Sequence, residues 1–142
     1  MRTYPSNDGN AAFVSLDRGE DLLEGLNQAV AQLGFQAATI QVIGGLEAAR
    51  LGYFDPQRKE YLPTSTGHVE ISSGLGNVSI RDGKPFIHLH LVVSDPDGEA
   101  MGGHAMAGCI AFVVEAYLRA LSGPPPVREE RPGMGLKVWP GS

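Results

Sequence analysis

The spacing of apolar residues between positions 22 and 33 predicts an amphipathic helix. The apolar residues recur at steps of one, three or four, which places them on a single stripe: Leu22, Leu23, Leu26, Ala29, Val30 and Leu33. Asp17 and Glu20 resemble a capping box ahead of the stripe, and Gly34 supplies a stop signal behind it. We therefore expect a helix over about residues 19–33, with its apolar stripe packed on a sheet.

Most other apolar residues alternate with polar ones or form short runs, as they do in strands. The predicted strands cover residues 12–16, 38–43, 49–54, 60–62, 68–72, 77–81, 85–93 and 136–139. Residues 107–121 fit both a helical stripe and an alternating strand, and their content of Ile, Val, Phe and Tyr favours the strand. Turn pairs such as Asp55-Pro56 and Asp82-Gly83 join neighbouring runs, so we expect hairpins.

Length and composition favour one domain with a single core. The chain has 142 residues, 42% of them hydrophobic, and its 19 glycines and 10 prolines are spread along it rather than gathered into a linker. Frequent turns of this kind are typical of strand-rich folds. We expect an α/β (α+β) domain whose mixed, largely antiparallel sheet is accompanied by one main helix.

Charge and hydropathy bear on the partners. A net charge of -5 argues against binding of a nucleic-acid backbone, which depends on clustered Lys and Arg. No apolar run approaches the roughly 20 residues of a membrane span, and the first residues lack the apolar core of a secretory signal. Cys109 adjoins an apolar run and is expected to be buried. We therefore expect a cytoplasmic protein without a membrane contact.

Three histidines stand out by their spacing. His88 and His90 alternate along a predicted strand, so both side chains point to one face. A five-residue turn over residues 95–99 would pair Ser94 with Ala100, and hence His90 with His104. The pairing depends on register, and a bulge at Gly102-Gly103 would shift it.

Three neutral imidazoles on one face can hold a divalent metal ion. On a tetrahedral Zn²⁺ they leave a fourth position for water or substrate, the arrangement of catalytic rather than structural sites. Zinc is the first expectation, and nickel, copper and iron are the alternatives for an all-nitrogen set. The competing interpretation is that these histidines only occupy a polar strand face.

Two carboxylates and several aromatic or imidazole side chains are further candidates for a role at or near the site. Glu70 and Glu115 are candidates to orient a ligand or to act as acid or base. For each of them alone, the pattern favours an exposed strand carboxylate or an ion pair at a subunit contact. His68 is expected at the surface or at an interface. Tyr53 and Tyr61 are expected to face each other across the Asp55-Pro56 hairpin.

An ordered series of motifs runs through most of the chain. It comprises Gly19-Glu20-Asp21-Leu22-Leu23, the stretch from Gly44-Gly45 to Phe54-Asp55, Glu70-Ile71-Ser72-Ser73-Gly74-Leu75-Gly76-Asn77, Asp82-Gly83-Lys84-Pro85-Phe86-Ile87-His88-Leu89-His90 and Gly102-Gly103-His104. This series resembles the plant and prokaryote conserved (PPC) domain. The resemblance spans residues 11–139, which leaves 1–10 and 140–142 as expected flexible ends.

The resemblance implies an α/β domain that assembles as a homotrimer and binds a metal, typically zinc, through His88, His90 and His104. Plant members place this domain after an AT-hook and act in transcription. This chain has no Arg-Gly-Arg-Pro core, so it resembles the stand-alone prokaryotic type and DNA binding is not carried over. Two functions remain open: a metal site that binds or transforms a small oxygen-rich molecule, and a non-catalytic assembly or regulatory module.

Overall fold

One helix and ten strands make up residues 1–140, the part of the chain that this computed structural model describes. In chain order they are β1 (Arg2–Pro5), β2 (Ala11–Leu16), α1 (Leu22–Leu33), β3 (Ala38–Asp55), β4 (Glu60–Thr66), β5 (Val69–Arg81), β6 (Lys84–Ser94), β7 (Ala100–Ala105), β8 (Ile110–Ala120), β9 (Glu129–Glu130) and β10 (Lys137–Val138). The segment that was ambiguous in sequence is the strand β8.

The main sheet has eight strands in the order β1-β2-β8-β3-β5-β6-β7, with β4 paired to β3. All pairings between these strands are antiparallel, and a parallel bridge joins Ile80 to Val127. This confirms the predicted fold class, a largely antiparallel sheet with one main helix. No helix among residues 1–140 is long and apolar enough to cross a membrane.

Helix α1 buries its apolar stripe against one face of the sheet, with Leu22, Leu26, Ala29 and Val30 almost fully buried. Its start differs from the expectation of residue 19, because Asp21 is the N-cap and accepts from the backbone N–H groups of Leu23 and Glu24. Gly34 ends the helix in the left-handed conformation (φ 70°), as predicted.

Two strands are longer than the sequence pattern predicted. β3 joins the two runs predicted at 38–43 and 49–54, and β5 joins those at 68–72 and 77–81. Bulges bend each strand where the glycines and serines interrupt the alternation. Gly44, at φ 124°, allows the close approach, because a Cβ there would lie 2.3 Å from the Val113 carbonyl oxygen.

The bend in β3 closes part of the sheet on itself. The first half of β3 pairs with β5 and β8, whereas its second half pairs with β4 and also with β7, through Leu51 to Ala105 and Gly52 to His104. A Cβ on Gly103 would lie 3.0 Å from the Gly52 oxygen, so the absence of a side chain lets β7 approach β3. This closure places His104 beside Gly52 of β3.

The two chain ends are partly ordered by pairing. Residues 2–5, within the end expected to be flexible, form β1 and pair with β2. The predicted last strand at 136–139 is shorter, and β10 pairs only with β9. The tail before β9 is held on β5 by hydrogen bonds from Ile80 N–H to the Pro126 oxygen and from Arg128 N–H to the Ile80 oxygen. Of the predicted flexible end 140–142, residues 141 and 142 lie outside the described range.

Candidate metal centre

The register of β6 and β7 brings the three histidines to one place. Ser94 pairs with Ala100 and His90 pairs with His104, as the turn length predicted, and no bulge interrupts the pairing at Gly102-Gly103. His88 lies two residues before His90 on the same face of β6. The three side chains therefore share one region of the sheet surface that faces away from α1.

The imidazole nitrogens converge to within metal-binding reach. One ligand nitrogen from each of His88, His90 and His104 lies within 4.8 Å of the other two. The Nε2 atoms of His88 and His90 are 3.2 Å apart. Two nitrogens at the usual Zn–N distance of about 2.0–2.1 Å and at a tetrahedral angle lie roughly 3.3 Å apart, so this pair fits one edge of a zinc site.

A second observation supports the fit. Nδ1 of His104 is buried and has no hydrogen-bond partner among the described residues. A buried polar atom without a partner is costly, and such atoms are typical of sites that a ligand or ion completes. The donor set is entirely imidazole, which suits zinc and its neighbours in the transition series.

The local electrostatics keep two of the rings neutral. Burial, followed by the neighbouring charges of His104, Arg128 and His90, lowers the pKa of His88 from 6.5 to about 4. Burial and the charges of His90, Arg81 and Arg128 also lower the pKa of His104. Because a metal binds the neutral imidazole, these shifts keep the lone pairs available at neutral pH.

An aromatic ring supports His104, and sequence reasoning missed it. Tyr61 stacks on His104 with ring centroids 4.7 Å apart and an angle of 23° between the planes. The expected pairing of Tyr53 with Tyr61 is wrong, because Tyr61 pairs with Phe54 across the hairpin. Tyr61 reaches His104 over Gly52, where a Cβ would lie 2.9 Å from its ring. Only the contact between β3 and β7 creates this stack.

An arginine from the C-terminal tail lies on the other side of His88. Nε of Arg128 donates to Ser79 Oγ at 2.8 Å, and its Nη2 donates to Asn77 Oδ1 at 3.1 Å. The same Nη2 is 3.4 Å from His88 Nδ1. In sequence, Arg128 sits in an irregular Pro-rich tail, and no local pattern connects it with the histidines.

The two carboxylate candidates lie apart from the cluster within one chain. Glu70 is exposed on β5, opposite Ser94 and Gly45, and Glu115 is exposed on β8, opposite Ile43 and Ser15. Among residues 1–140 the only grouping of potential metal ligands is that of the three histidines. Any acid or base role for these carboxylates would need a neighbouring subunit.

His68 and Cys109 are also remote from the cluster. The exposed ring of His68 contacts Phe112, with centroids 5.4 Å apart, which agrees with the expected surface position. Cys109 is fully buried, as expected, and its sulfur lies 3.4 Å from both the N–H and the carbonyl oxygen of Arg50. Burial raises the pKa of the thiol, so Cys109 is a core residue rather than a ligand.

Two cavities flank the histidines. One, of about 540 Å³, is lined by His90, His104, Tyr61 and the glycines of β3 and β7. The other, of about 350 Å³, lies on the side of His88 and is lined by Asn77, His88, Arg128, Arg131, Met134, Val138 and Trp139. Both are of the size that small ligands occupy in proteins.

Comparisons with solved structures find proteins of the same fold. A metal-containing protein from Archaeoglobus fulgidus is similar in structure, with a TM-score of 0.87 and 34% identity over 99% of this chain and 100% of that one. A plant- and prokaryote-conserved protein from Pyrococcus horikoshii has a TM-score of 0.86 and 33% identity over 100% of this chain and 93% of that one. A protein from Bacteroides thetaiotaomicron described as a putative DNA-binding protein has a TM-score of 0.88 and 25% identity, with coverages of 99% and 98%.

Sequence comparison identifies the family of the chain. A curated relative, the bifunctional protein GlmU of a Synechococcus strain, is 34% identical over 121 residues, which is 84% of this chain and 17% of that protein. The chain therefore spans about a sixth of the length of that relative. The family model of the Plants and Prokaryotes Conserved (PCC) domain matches residues 4–122. The chain belongs to the Plants and Prokaryotes Conserved domain family.

Proposed function

We propose that His88, His90 and His104 hold a divalent metal ion, zinc in the first place, and that the metal binds or transforms a small oxygen-rich molecule. The convergence of the three imidazole nitrogens within 4.8 Å of one another carries this proposal. A metal bound by three neutral histidines keeps a position for a further ligand and can act there as a Lewis acid. The unpartnered Nδ1 of His104 and the metal-containing neighbour from Archaeoglobus fulgidus support it.

Metal analysis tests this proposal. Protein purified without added metal is compared with the variant His88→Ala/His90→Ala, and His68→Ala is the matched control because its ring is exposed and lies outside the cluster. We expect about one metal ion per chain in the wild type and in the control, and little in the double variant. Metal-free wild-type protein that takes up no zinc on titration would reject the proposal.

We further propose that the chain forms a homotrimer through the open face of its sheet. A row of paired residues crosses this face from Phe13 through Tyr117, Gln41 and Leu75 to His90. Phe13 is 62% exposed and Leu75 61% exposed, which is unusual for large apolar side chains in the centre of a sheet. Contiguous exposed apolar surface of this kind is typical of contacts between subunits.

Because the row reaches His90, a second copy packed on this face would lie beside the metal centre. The assembly test is the molar mass in solution by light scattering. Ile43→Asp, on the same face, is compared with Thr64→Asp, which places the same charge on β4. We expect a trimer for the wild type and for Thr64→Asp, and a smaller species for Ile43→Asp. A monomeric wild type would contradict the trimer.

The second candidate function is a non-catalytic assembly or regulatory module. The description of the Bacteroides thetaiotaomicron neighbour as a putative DNA-binding protein supports a regulatory role. The net charge of -5 and the lack of an AT-hook disfavour DNA as a partner of this chain alone. Metal chelation that leaves the assembly intact, together with no binding of small oxygen ligands, would favour the module. Tight DNA binding at physiological salt would favour a DNA-linked regulatory function over the metal-dependent one.

A further inference from the structure

We propose that the cavity beside His88 binds the carboxylate of a small organic acid, with Arg128 as the residue that holds it. This inference rests on the proposed metal site, because it names the class of molecule that the site would take. The cavity lies between β5, β6 and the C-terminal tail, and the tail residues that line it come after residues 4–122, which the family model matches. Its cationic wall therefore comes from a segment that the family pattern does not describe.

Arg128 is held in a defined position rather than free at the surface. Ser79, which is fully buried, accepts from Nε of Arg128, and Asn77 accepts from Nη2. The guanidinium carbon lies 5.2 Å from the centre of the Phe86 ring and 5.5 Å from that of Trp139. Both distances are within the range of a cation–π contact, so the two rings help to hold the guanidinium in place.

The positive charge of this wall has no counterpart within the described residues. No Asp or Glu lines the cavity, and no carboxylate forms an ion pair with Arg128. Arg131 also lines it, and the charge of Arg81 lowers the pKa of Arg128 as a secondary effect after burial. A metal on the histidines would add further positive charge, so an anion is the ligand that this wall fits.

The hydrogen-bonding groups of Arg128 leave room for such an anion. Nη1 makes only a long contact of 3.5 Å to the Lys137 oxygen, and Nη2 approaches Nδ1 of His88. When His88 holds a metal through Nε2, its Nδ1 carries the proton and no longer accepts from Arg128. One N–H of Arg128 is then released, and Nδ1–H of His88 itself requires an acceptor. A carboxylate in the cavity satisfies both donors.

The remaining lining of the cavity favours an organic acid over inorganic phosphate. Met134, Val138 and Trp139 contribute apolar surface to the lining, which suits a short carbon chain. The volume of about 350 Å³ accommodates a small organic acid of this kind. The substrate class is therefore a small carboxylic acid, and metal and carboxylate should strengthen each other's binding through His88.

Calorimetric titration of the full chain with lactate and pyruvate tests this assignment. Lactamide, the neutral analogue of lactate, and inorganic phosphate are the comparison probes, and each titration is done with zinc-loaded and metal-free protein. Arg128→Gln is compared with Arg2→Gln, which removes the same charge from an exposed side chain on β1. Arg128→Lys keeps the charge without the guanidinium fork, and thermal melting checks the fold of all variants.

We expect lactate or pyruvate to bind the zinc-loaded protein and lactamide to bind far more weakly. Arg128→Gln should lower the affinity for the carboxylate by at least about tenfold. The carboxylate affinity of Arg128→Lys should lie between those of the wild type and Arg128→Gln, and the affinity of Arg2→Gln should equal that of the wild type. The carboxylate should also raise zinc affinity in the wild type and lose this effect in Arg128→Gln.

Equal carboxylate affinity of Arg128→Gln and wild type, equal binding of lactamide, or no binding of either acid would overturn the proposal. If phosphate binds more tightly than both acids, the cavity is a general anion site and the assignment to an organic acid is wrong. Failure of the metal site is separate from these results. If the wild type takes up no zinc but binds lactate through Arg128, the metal proposal fails and the carboxylate site stands. If the wild type binds zinc but neither acid, the metal proposal stands and the carboxylate site fails.

Discussion

His90 on β6 and His104 on β7 are direct cross-strand partners, and their ring centres lie 5.6 Å apart. The turn over residues 95–99 sets this register, and the pairing of β7 with β3 places His104 opposite Gly52. Gly52 and Gly103 allow β7 to approach β3 this closely. The geometry of the candidate metal centre therefore depends on two glycines that are not themselves candidate ligands.

Gly103→Val is expected to weaken both the fold and zinc binding. The new side chain would crowd Leu51 Cβ, which lies 3.1 Å from the position of a Cβ on Gly103, and would push β7 from β3. Overpacking of this kind costs about 1–3 kcal/mol in the free energy of unfolding. Gly102→Val is the matched control, because the nearest atom to its Cβ position is 3.4 Å away. Equal zinc affinities of the two variants would contradict the role given to Gly103.

Tyr61→Leu is expected to lower zinc affinity without changing the ligands. The stack of Tyr61 on His104 fixes the orientation of that ring, and such aromatic pairs contribute about 0.5–1.5 kcal/mol. This corresponds to a roughly 2- to 10-fold weaker zinc affinity, measured by competition with a chelating dye. Tyr53→Leu serves as the control, since Tyr53 is 69% exposed. A Tyr61→Leu protein with wild-type affinity would show that the stack does not position His104.

The metal-free protein is expected to lose stability on acidification. The pKa of His88 is about 4 in the folded chain and 6.5 ordinarily, so the unfolded chain binds this proton first. The free energy of unfolding should fall as the pH drops from about 6.5 to about 4, and His104 acts in the same direction. Between pH 6.5 and pH 4, the melting temperature of His88→Gln should fall less steeply with decreasing pH than that of the wild type.

His68→Gln is the control for the acid series because His68 is exposed and lies outside the cluster. Its melting temperature should follow the wild type at every pH. Parallel curves for His88→Gln and the wild type would contradict the assignment of the effect to His88.

Asp21→Ala is expected to destabilise the domain by about 2 kcal/mol. Asp21 Oδ1 caps α1, and its Oδ2 accepts from Gly108 N–H at 2.7 Å, which ties the helix to the segment before β8. Asp17→Ala should change the free energy of unfolding by less than about 0.5 kcal/mol, because its side chain only forms an exposed ion pair with Arg2. Chemical denaturation checks both variants. A larger loss of stability in Asp17→Ala would show that Asp17 also caps the helix, as the capping-box pattern with Glu20 predicted.

Local patterns determined a large part of this fold. The apolar stripe from Leu22 to Leu33 predicted α1, and the alternation around His88 and His90 predicted β6, because burial on one face imposes a fixed period. The joined strands β3 and β5 were missed at glycine-rich bulges, where backbone pairing continues without side chains that would mark it. Asp21 was missed as the N-cap because Asp17 and Glu20 offered a similar pattern one turn earlier.

The sequence by itself determined the pairing of His90 with His104, since a short turn and a period of two fix which residues face each other. Only the tertiary structure decided what surrounds them. Tyr61 reaches His104 through the contact of β3 with β7, and Arg128 reaches His88 through hydrogen bonds to β5 from 49 and 51 residues away along the chain. Contacts between segments so far apart depend on how the whole sheet bends, and no local spacing of residues encodes that bend.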